Sequence, residues 1–270
     1  MPVDVEARVI HNTRLSPDYN VIALAAPEIA AATSPGQFVM VKAGRGSDPL
    51  LRRPFSVFEV LREGDRVDGL TLLSKRIGPT TALLFDAVAG DLVSCLGPLG
   101  RPFQLVDPPR EAWMVAGGVG LAPFATLAES LLARDTPTTL FYGARTGGEL
   151  FYVDWFASRG VRVVLSTEDG SSGDRGRVTV PLEHALRGAG SRDVTIYACG
   201  PEPMLEAVSH LAGTYGRPSQ VSVERVMGCG MGGCYSCVIP VRDADGGHHY
   251  VRSCLSGPVF AGADVVWDRA

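Results

Sequence analysis

Trp113-Met-Val-Ala-Gly-Gly-Val-Gly-Leu-Ala-Pro123 decides how this chain folds. Residues 113–116 read as a short apolar strand, and an amphipathic helix is expected over 123–133. The glycines between them make a tight strand-to-helix turn. They also let the backbone approach a pyrophosphate, and the helix start behind them supplies N–H donors and the positive end of its dipole. The stretch lacks the full G-x-G-x-x-G pattern, and a turn with no ligand would use the same residues. Its surroundings favour the ligand. Strands are expected over 138–142, 161–166 and 195–198, alternating with helices over 152–158, 181–186 and 203–215. That alternation implies a parallel, doubly wound sheet. Cys199-Gly-Pro201 follows the last of these strands and opens the last helix. Ligands of such sheets bind beyond the carboxyl ends of the strands. Gly117, Gly118, Gly120 and Pro123 are therefore expected to share one dinucleotide crevice with Cys199, Gly200 and Pro201.

Before Pro109 the pattern differs. Short β-rich segments recur at 3–10, 20–24, 37–42, 55–61, 69–73 and 92–96. Turn residues separate them, including Ser34-Pro-Gly36 and Gly44-Arg-Gly-Ser-Asp-Pro49. Regular short strands with such punctuation imply an antiparallel barrel. One helix is expected within it, about 80–89, closed by Gly90. Arg53-Pro-Phe-Ser56 opens a strand. Arginine pairs with phosphate oxygens. Phe55 shares its strand face and offers a ring to a flavin, and Ser56 offers a hydroxyl to a flavin ring nitrogen. An Arg-Pro strand start beside a core phenylalanine would explain the quartet equally well. Gly78-Pro-Thr-Thr81 is a second phosphate candidate, since it opens a helix with hydroxyls at the cap.

A third unit begins near Val221 and carries Gly228-Cys-Gly-Met-Gly-Gly-Cys-Tyr-Ser-Cys237, with Cys254 further on. The C-x4-C-x2-C…C spacing of Cys229, Cys234, Cys237 and Cys254 is that of a plant-type [2Fe–2S] site. Glycines around the thiols allow sharp turns and leave N–H groups free to point at sulfur. Structural zinc is the alternative, but zinc sites usually pair two short C-x2-C units, and here only Cys234 and Cys237 make one. Disulfides are disfavoured, because the remaining Cys95 and Cys199 stand singly. A hairpin turn is expected at Asp243-Ala-Asp-Gly-Gly247.

At 270 residues with a net charge of −4, the chain can hold two or three domains and offers no basic stripe for nucleic acid. No stretch has the length of a membrane span, no export signal is visible at the N-terminus, and free thiols suit a cytoplasmic setting. Arg145, after the second strand of the parallel sheet, would either meet an adenosine 2′-phosphate or cap the strand end.

The order of these motifs resembles the ferredoxin-reductase superfamily with a C-terminal [2Fe–2S] segment. Within it, Leu51-Arg-Arg-Pro-Phe-Ser56, Leu96-Gly-Pro-Leu-Gly100, Glu224-Arg-Val-Met-Gly-Cys-Gly-Met-Gly-Gly-Cys234 and Gly257-Pro-Val-Phe260 resemble the electron-transfer subunits of NAD-linked dihydroorotate dehydrogenase. The resemblance implies an FAD-binding β-barrel over 1–107, a Rossmann-like NAD-binding domain over 108–219 and a cluster-binding segment over 220–270. It implies FAD contacts from Arg53, Pro54, Phe55 and Ser56, from Leu73, Ser74 and Lys75, and from Thr80 and Thr81 at the pyrophosphate. It also implies NAD(H) as nucleotide and an FMN-containing dihydroorotate dehydrogenase catalytic subunit as partner, in a heterotetramer. Three positions depart from the family: Ser74-Lys75 stands where an aromatic and an arginine are usual, Thr80-Thr81 where Gly-Thr is usual, and Ser256 where an acid is usual.

The leading expectation is a flavin–iron–sulfur relay between NAD and that partner. Such a relay needs no triad or general base, and none is visible; Cys199 would shape the nicotinamide pocket. Two alternatives stand beside it. One is an NAD(P)H-oxidising subunit of a hydrogenase, sulfur reductase or bifurcating complex. The other is a non-enzymatic regulator with zinc in the four-cysteine site.

Overall fold

A computed structural model of the chain describes residues 1–44 and 48–267. The expected turn residues Arg45, Gly46 and Ser47, and the last three residues of the third unit, lie outside the described residues.

The first half builds β1 (Val3–Arg14), β2 (Tyr19–Ala25), α1 (Pro27–Ala31), β3 (Phe38–Ala43), β4 (Arg53–Ser56), β5 (Glu59–Glu63), β6 (Arg66–Lys75), α2 (Pro79–Asp86) and β7 (Leu92–Leu99). The strands form one antiparallel sheet in the order β4-β3-β7-β1-β2-β6-β5. Its two edge strands, β4 and β5, are consecutive in sequence, which draws the ends of the sheet towards each other. β4 pairs with β3 while β5 pairs with β6. Between them the chain bends, with the Val57 N–H donating to the Gln37 carbonyl at 3.1 Å and the Phe58 N–H to the Thr71 carbonyl at 2.9 Å. The single strand expected over 55–61 is thus two strands serving opposite edges of the curled sheet. Ala7, Val9, Ile22, Leu24, Val39, Val41, Leu70 and Leu72 fill the barrel.

α2 ends sooner than expected. Its last carbonyls are taken by a side chain from another element: Asn12 donates to Leu84, Phe85 and Ala87 at 2.9, 3.1 and 2.9 Å. These acceptors would otherwise be orphaned at the helix end. Gly90, expected to close the helix, sits in the following turn with φ +97° and donates its N–H to Val9 at 2.9 Å. The short helix α1 was not foreseen; it buries Ile29 and Ala30.

The second half continues with β8 (Glu111–Gly117), a 3-10 turn (Gly118–Leu121), α3 (Phe124–Leu132), β9 (Thr138–Ala144), α4 (Val153–Ser158), β10 (Arg162–Thr167), β11 (Asp174–Arg175), α5 (Thr179–Arg187), β12 (Val194–Cys199), α6 (Glu202–Thr214) and β13 (Ser219–Ser222). Then come β14 (Val238–Arg242), β15 (His248–Arg252), α7 (Ser253–Ser256) and β16 (Val259–Ala261). The second sheet has the order β11-β10-β9-β8-β12-β13-β16, parallel except where β16 pairs antiparallel with β13. β14 and β15 form the expected hairpin. The cysteine-bearing segment therefore leaves this sheet at Ser222 and rejoins it at Val259, which are paired residues. Among the described residues no helix is long and apolar enough to cross a membrane.

Candidate functional site

β8 and β12 are neighbours, with Ala116 opposite Cys199, so their carboxyl ends stop side by side. The two glycine turns then press together. A Cβ on Gly120 would collide with the Cys199 carbonyl, and one on Gly117 would stand 2.7 Å from the Met204 sulfur. Gly118 has φ +54°, a conformation that costs glycine little. Gly117, Gly118, Gly200 and Pro201 line a crevice of about 540 Å³ between the two halves. That size is usual for a ligand pocket. Gly120, Pro123 and Cys199 stand behind the lining. Burial pushes the Cys199 thiol far up, so it is no nucleophile.

The mouth of the crevice is held by charge. Arg145 donates to the Glu149 carboxylate at 2.6 Å, and that hydrogen bond holds the Glu149 carboxyl below the usual range. The Lys75 ammonium lies 3.6 Å from the same carboxylate and 4.9 Å from the Tyr19 ring centre. Arg145 is thus held at the crevice mouth by a neighbouring carboxylate, and Lys75 reaches across to the nucleotide half. Tyr19 meets Phe151 at 4.9 Å and Phe58 meets Tyr152 at 4.7 Å, which makes a second tie between the halves. Glu168 and Glu224 also face the crevice. Glu224 stays wetted by the open crevice, yet surrounding protein raises its carboxyl.

Strand pairing sorts the flavin motif into two faces. Arg53 is opposite Val41 and Phe55 opposite Val39; both valines belong to the barrel core, and Phe55 packs on that core. Its ring is half-buried there, on the same strand face as Arg53. Pro54 is opposite Met40 and Ser56 opposite Phe38, on the outer face. The two adjacent arginines differ. Arg52 is tied to Asp4 at 2.7 Å and to Ser94 at 2.7 Å. Among the described residues no carboxylate pairs with Arg53, which donates to backbone carbonyls only.

On β6, Leu73 joins the packing towards the nucleotide half, whereas Ser74 turns the other way, opposite Asn20. The buried Ser74 Oγ and Asn20 Oδ1 have no hydrogen-bond partner. Thr80 is buried. The Thr81 hydroxyl accepts from the N–H groups of Ile77 and Gly78, each at 2.9 Å. It closes the turn and leaves the amides of Thr80 and Thr81 as first-turn donors. Open space fronts this helix start, for a Cβ on Gly78 would meet nothing within 4 Å. A free guanidinium, orphaned polar oxygens and an open helix start fit a flavin dinucleotide.

The four cysteines form two pairs. Cys237 and Cys254 are buried in one packing cluster, whereas Cys229 and Cys234 lie in the outer part of the loop. Cys237 and Cys254 are each 2 % exposed, packed with Phe38, Met40, Leu96, Leu99 and Met227. Cys234 is open to solvent. The loop sits directly on the barrel: a Cβ on Gly230 would stand 2.5 Å from the Met40 Cγ. The Arg101 N–H donates to the Gly257 carbonyl at 2.6 Å and clamps the other end. Among the described residues no three His, Cys, Asp or Glu converge as on one ion. Two thiol pairs suit a two-iron cluster, where each iron takes its own pair. Met40 was not singled out from sequence, whereas Leu99 lies within the Leu96-Gly-Pro-Leu-Gly100 motif.

Comparison with known proteins agrees with this geometry. Residues 224–266 match the iron-sulfur cluster binding domain of dihydroorotate dehydrogenase B, and residues 114–210 match an oxidoreductase NAD-binding domain. The electron transfer subunit of dihydroorotate dehydrogenase B (NAD(+)) from Desulforamulus reducens is 35 % identical over 267 residues, covering 97 % of this chain and 98 % of that one. The chain belongs to this family. Its counterpart from Geobacillus kaustophilus is 39 % identical over 236 residues, 86 % of each chain. An NADH-dependent reduced ferredoxin–NADP oxidoreductase structure, studied for flavin-based electron bifurcation, aligns with a TM-score of 0.83 at 26 % identity, over 97 % of this chain and 90 % of that one. Membership makes the chain an NAD-linked oxidoreductase subunit for electron transfer, on a ferredoxin-reductase-like fold.

Proposed function

We propose that this chain carries electrons between NAD(H) in the crevice and an FMN-containing, dihydroorotate-oxidising partner subunit, through FAD on the barrel and a [2Fe–2S] cluster in the cysteine loop. In this reading residues 1–107 hold the flavin, 108–219 the nicotinamide nucleotide and 220–270 the cluster. One observation carries it: Ser56 is opposite Phe38, and Phe38 packs with Cys237 and Cys254. The flavin motif and the inner thiols are therefore separated by one layer of side chains.

When bound, the flavin exchanges electron pairs with nicotinamide and single electrons with iron, and the protein supplies position and electrostatics. Arg53 holds phosphate, and the Thr80 and Thr81 amides donate beside it. Ser56 orients the ring on the face towards the cysteine loop. Gly117, Gly118, Gly200 and Pro201 admit the nucleotide backbone, and Cys199 shapes the pocket wall. Arg53→Ala removes a charge-assisted contact of about 1.5–3 kcal/mol, so FAD affinity should fall roughly tenfold or more. Flavin fluorescence during dilution reads this out, and unchanged affinity in a folded variant counts against the phosphate role.

The partner reading rests on the family and on the surface beside Cys234. Val226, Met231 and Tyr235 are 81 %, 60 % and 62 % exposed, and apolar and aromatic groups are favoured at interface centres. Arg252 stacks over Tyr235 at 4.7 Å. Tyr235→Glu should abolish the complex with the FMN subunit, measured by size-exclusion mass, and leave NADH oxidation by artificial acceptors near the wild-type rate. A wild type that forms no such complex, or a complex that does not couple dihydroorotate to NAD, removes this partner. The likeness to a bifurcating oxidoreductase supports a second reading, a reductase subunit of such a complex, and the same experiment separates the two.

A further inference from the structure

We propose that Ser236 sets the reduction potential of the cluster by hydrogen bonding to its outer thiolate pair. The inference rests on the cluster reading above and concerns a residue that is not a ligand.

The Ser236 Oγ lies 2.9 Å from the Gly228 nitrogen and 3.1 Å from the Cys234 sulfur. The Gly228 amide can only donate, so the serine oxygen accepts there. A cysteine bound to iron is a thiolate and has no proton to give. The hydroxyl proton therefore points at the Cys234 sulfur. The result is a relay, N–H to O–H to S, with one orientation fixed from both ends.

Hydrogen bonds to cluster sulfurs tune potential. Reduction adds negative charge to the thiolates, so a donor aimed at sulfur favours the reduced form. At the outer pair, the Met231 N–H also reaches the Cys229 sulfur at 3.4 Å. The inner pair is different. Both inner thiols are walled by Phe38, Met40, Leu96, Leu99 and Met227, and apolar walls disfavour added charge. Ser236 is the side-chain donor within this arrangement, and it sits at the end open to a partner.

The test is an EPR-monitored redox titration of the FAD- and cluster-loaded wild type, Ser236→Ala and Ser236→Thr. The bond is made in both oxidation states, so only its strengthening on reduction counts, bounded by the roughly tenfold worth of a whole hydrogen bond to a charged acceptor. In Ser236→Ala the ratio of reduced to oxidised cluster at a fixed solution potential should fall by up to roughly tenfold, at most about 59 mV for one electron. Ser236→Thr keeps the hydroxyl and should stay close to wild type. An Ser236→Ala midpoint equal to that of wild type overturns the proposal. So does an Ser236→Thr midpoint lowered by the full amount, and this variant decides alone if Ser236→Ala fails to assemble a cluster. A wild type with no iron–sulfur signal would instead overturn the cluster reading itself.

Discussion

Cys234→Ser is expected to strip the cluster and end dihydroorotate-linked NAD reduction, while NADH oxidation by an artificial dye continues through the flavin. Cys234 is the exposed member of the four thiols, so its loss opens no core cavity and the fold should survive. The crevice and the barrel motif lie on the other side of the inner thiol pair, so hydride exchange does not need the outer one. Iron content, dye reduction and coupled NAD reduction are measured on the same preparation. If dye reduction vanishes in a folded, FAD-loaded variant, the order of electron flow is wrong. Zinc without iron in the wild type would remove the cluster and revive the regulator.

Gly120→Ala should damage the nucleotide half more than its size suggests. The added methyl would collide with the Cys199 carbonyl and the Gly200 Cα, which are backbone atoms that cannot rotate away. Forcing atoms into a packed site costs about 1–3 kcal/mol, and NADH binding should weaken with it because the two turns are prised apart. Gly213→Ala, within α6, meets nothing within 4 Å. It should stabilise by roughly 0.5–1 kcal/mol, the helix penalty of glycine. Trp113, Trp155 and Trp267 all lie after the barrel, so tryptophan fluorescence during urea unfolding reports this half selectively. Equal midpoints for the two variants would contradict the tight contact.

Four strands of the second sheet, β8, β9, β10 and β12, were legible because most of their residues are buried, wholly so in β12; the short β11, β13 and β16 were not. The four read as plain apolar runs between glycine turns. The curl of the first sheet was not legible. The bend at Val57 and Phe58 depends on carbonyls of Gln37 and Thr71, and no local pattern announces them. The end of α2 was misplaced for the same reason, since its cap is Asn12 from β1. Cysteine spacing marked the candidate cluster ligands, because iron chemistry restricts both residue type and interval. It said nothing of the seat beneath, where Met40 looks like any other strand residue. The paired charges of Lys75, Arg145 and Glu149 join residues that only the folded chain brings together.

β13 and β16 pair antiparallel, with Ser222 facing Val259 and the Val223 N–H donating to the Pro258 carbonyl at 2.9 Å. Topologically, everything between them is the outsized loop of one hairpin. Short turns join such antiparallel strands readily, so the cysteine-bearing stretch is an excursion tied at both ends to one strand pair. It is no detachable appendage: excising it would bare Phe38, Met40, Leu96 and Leu99 on the barrel and take Ile239 and Val241 out of the second core. Transplanted into a reductase that lacks iron, it would need both apolar seats in the recipient.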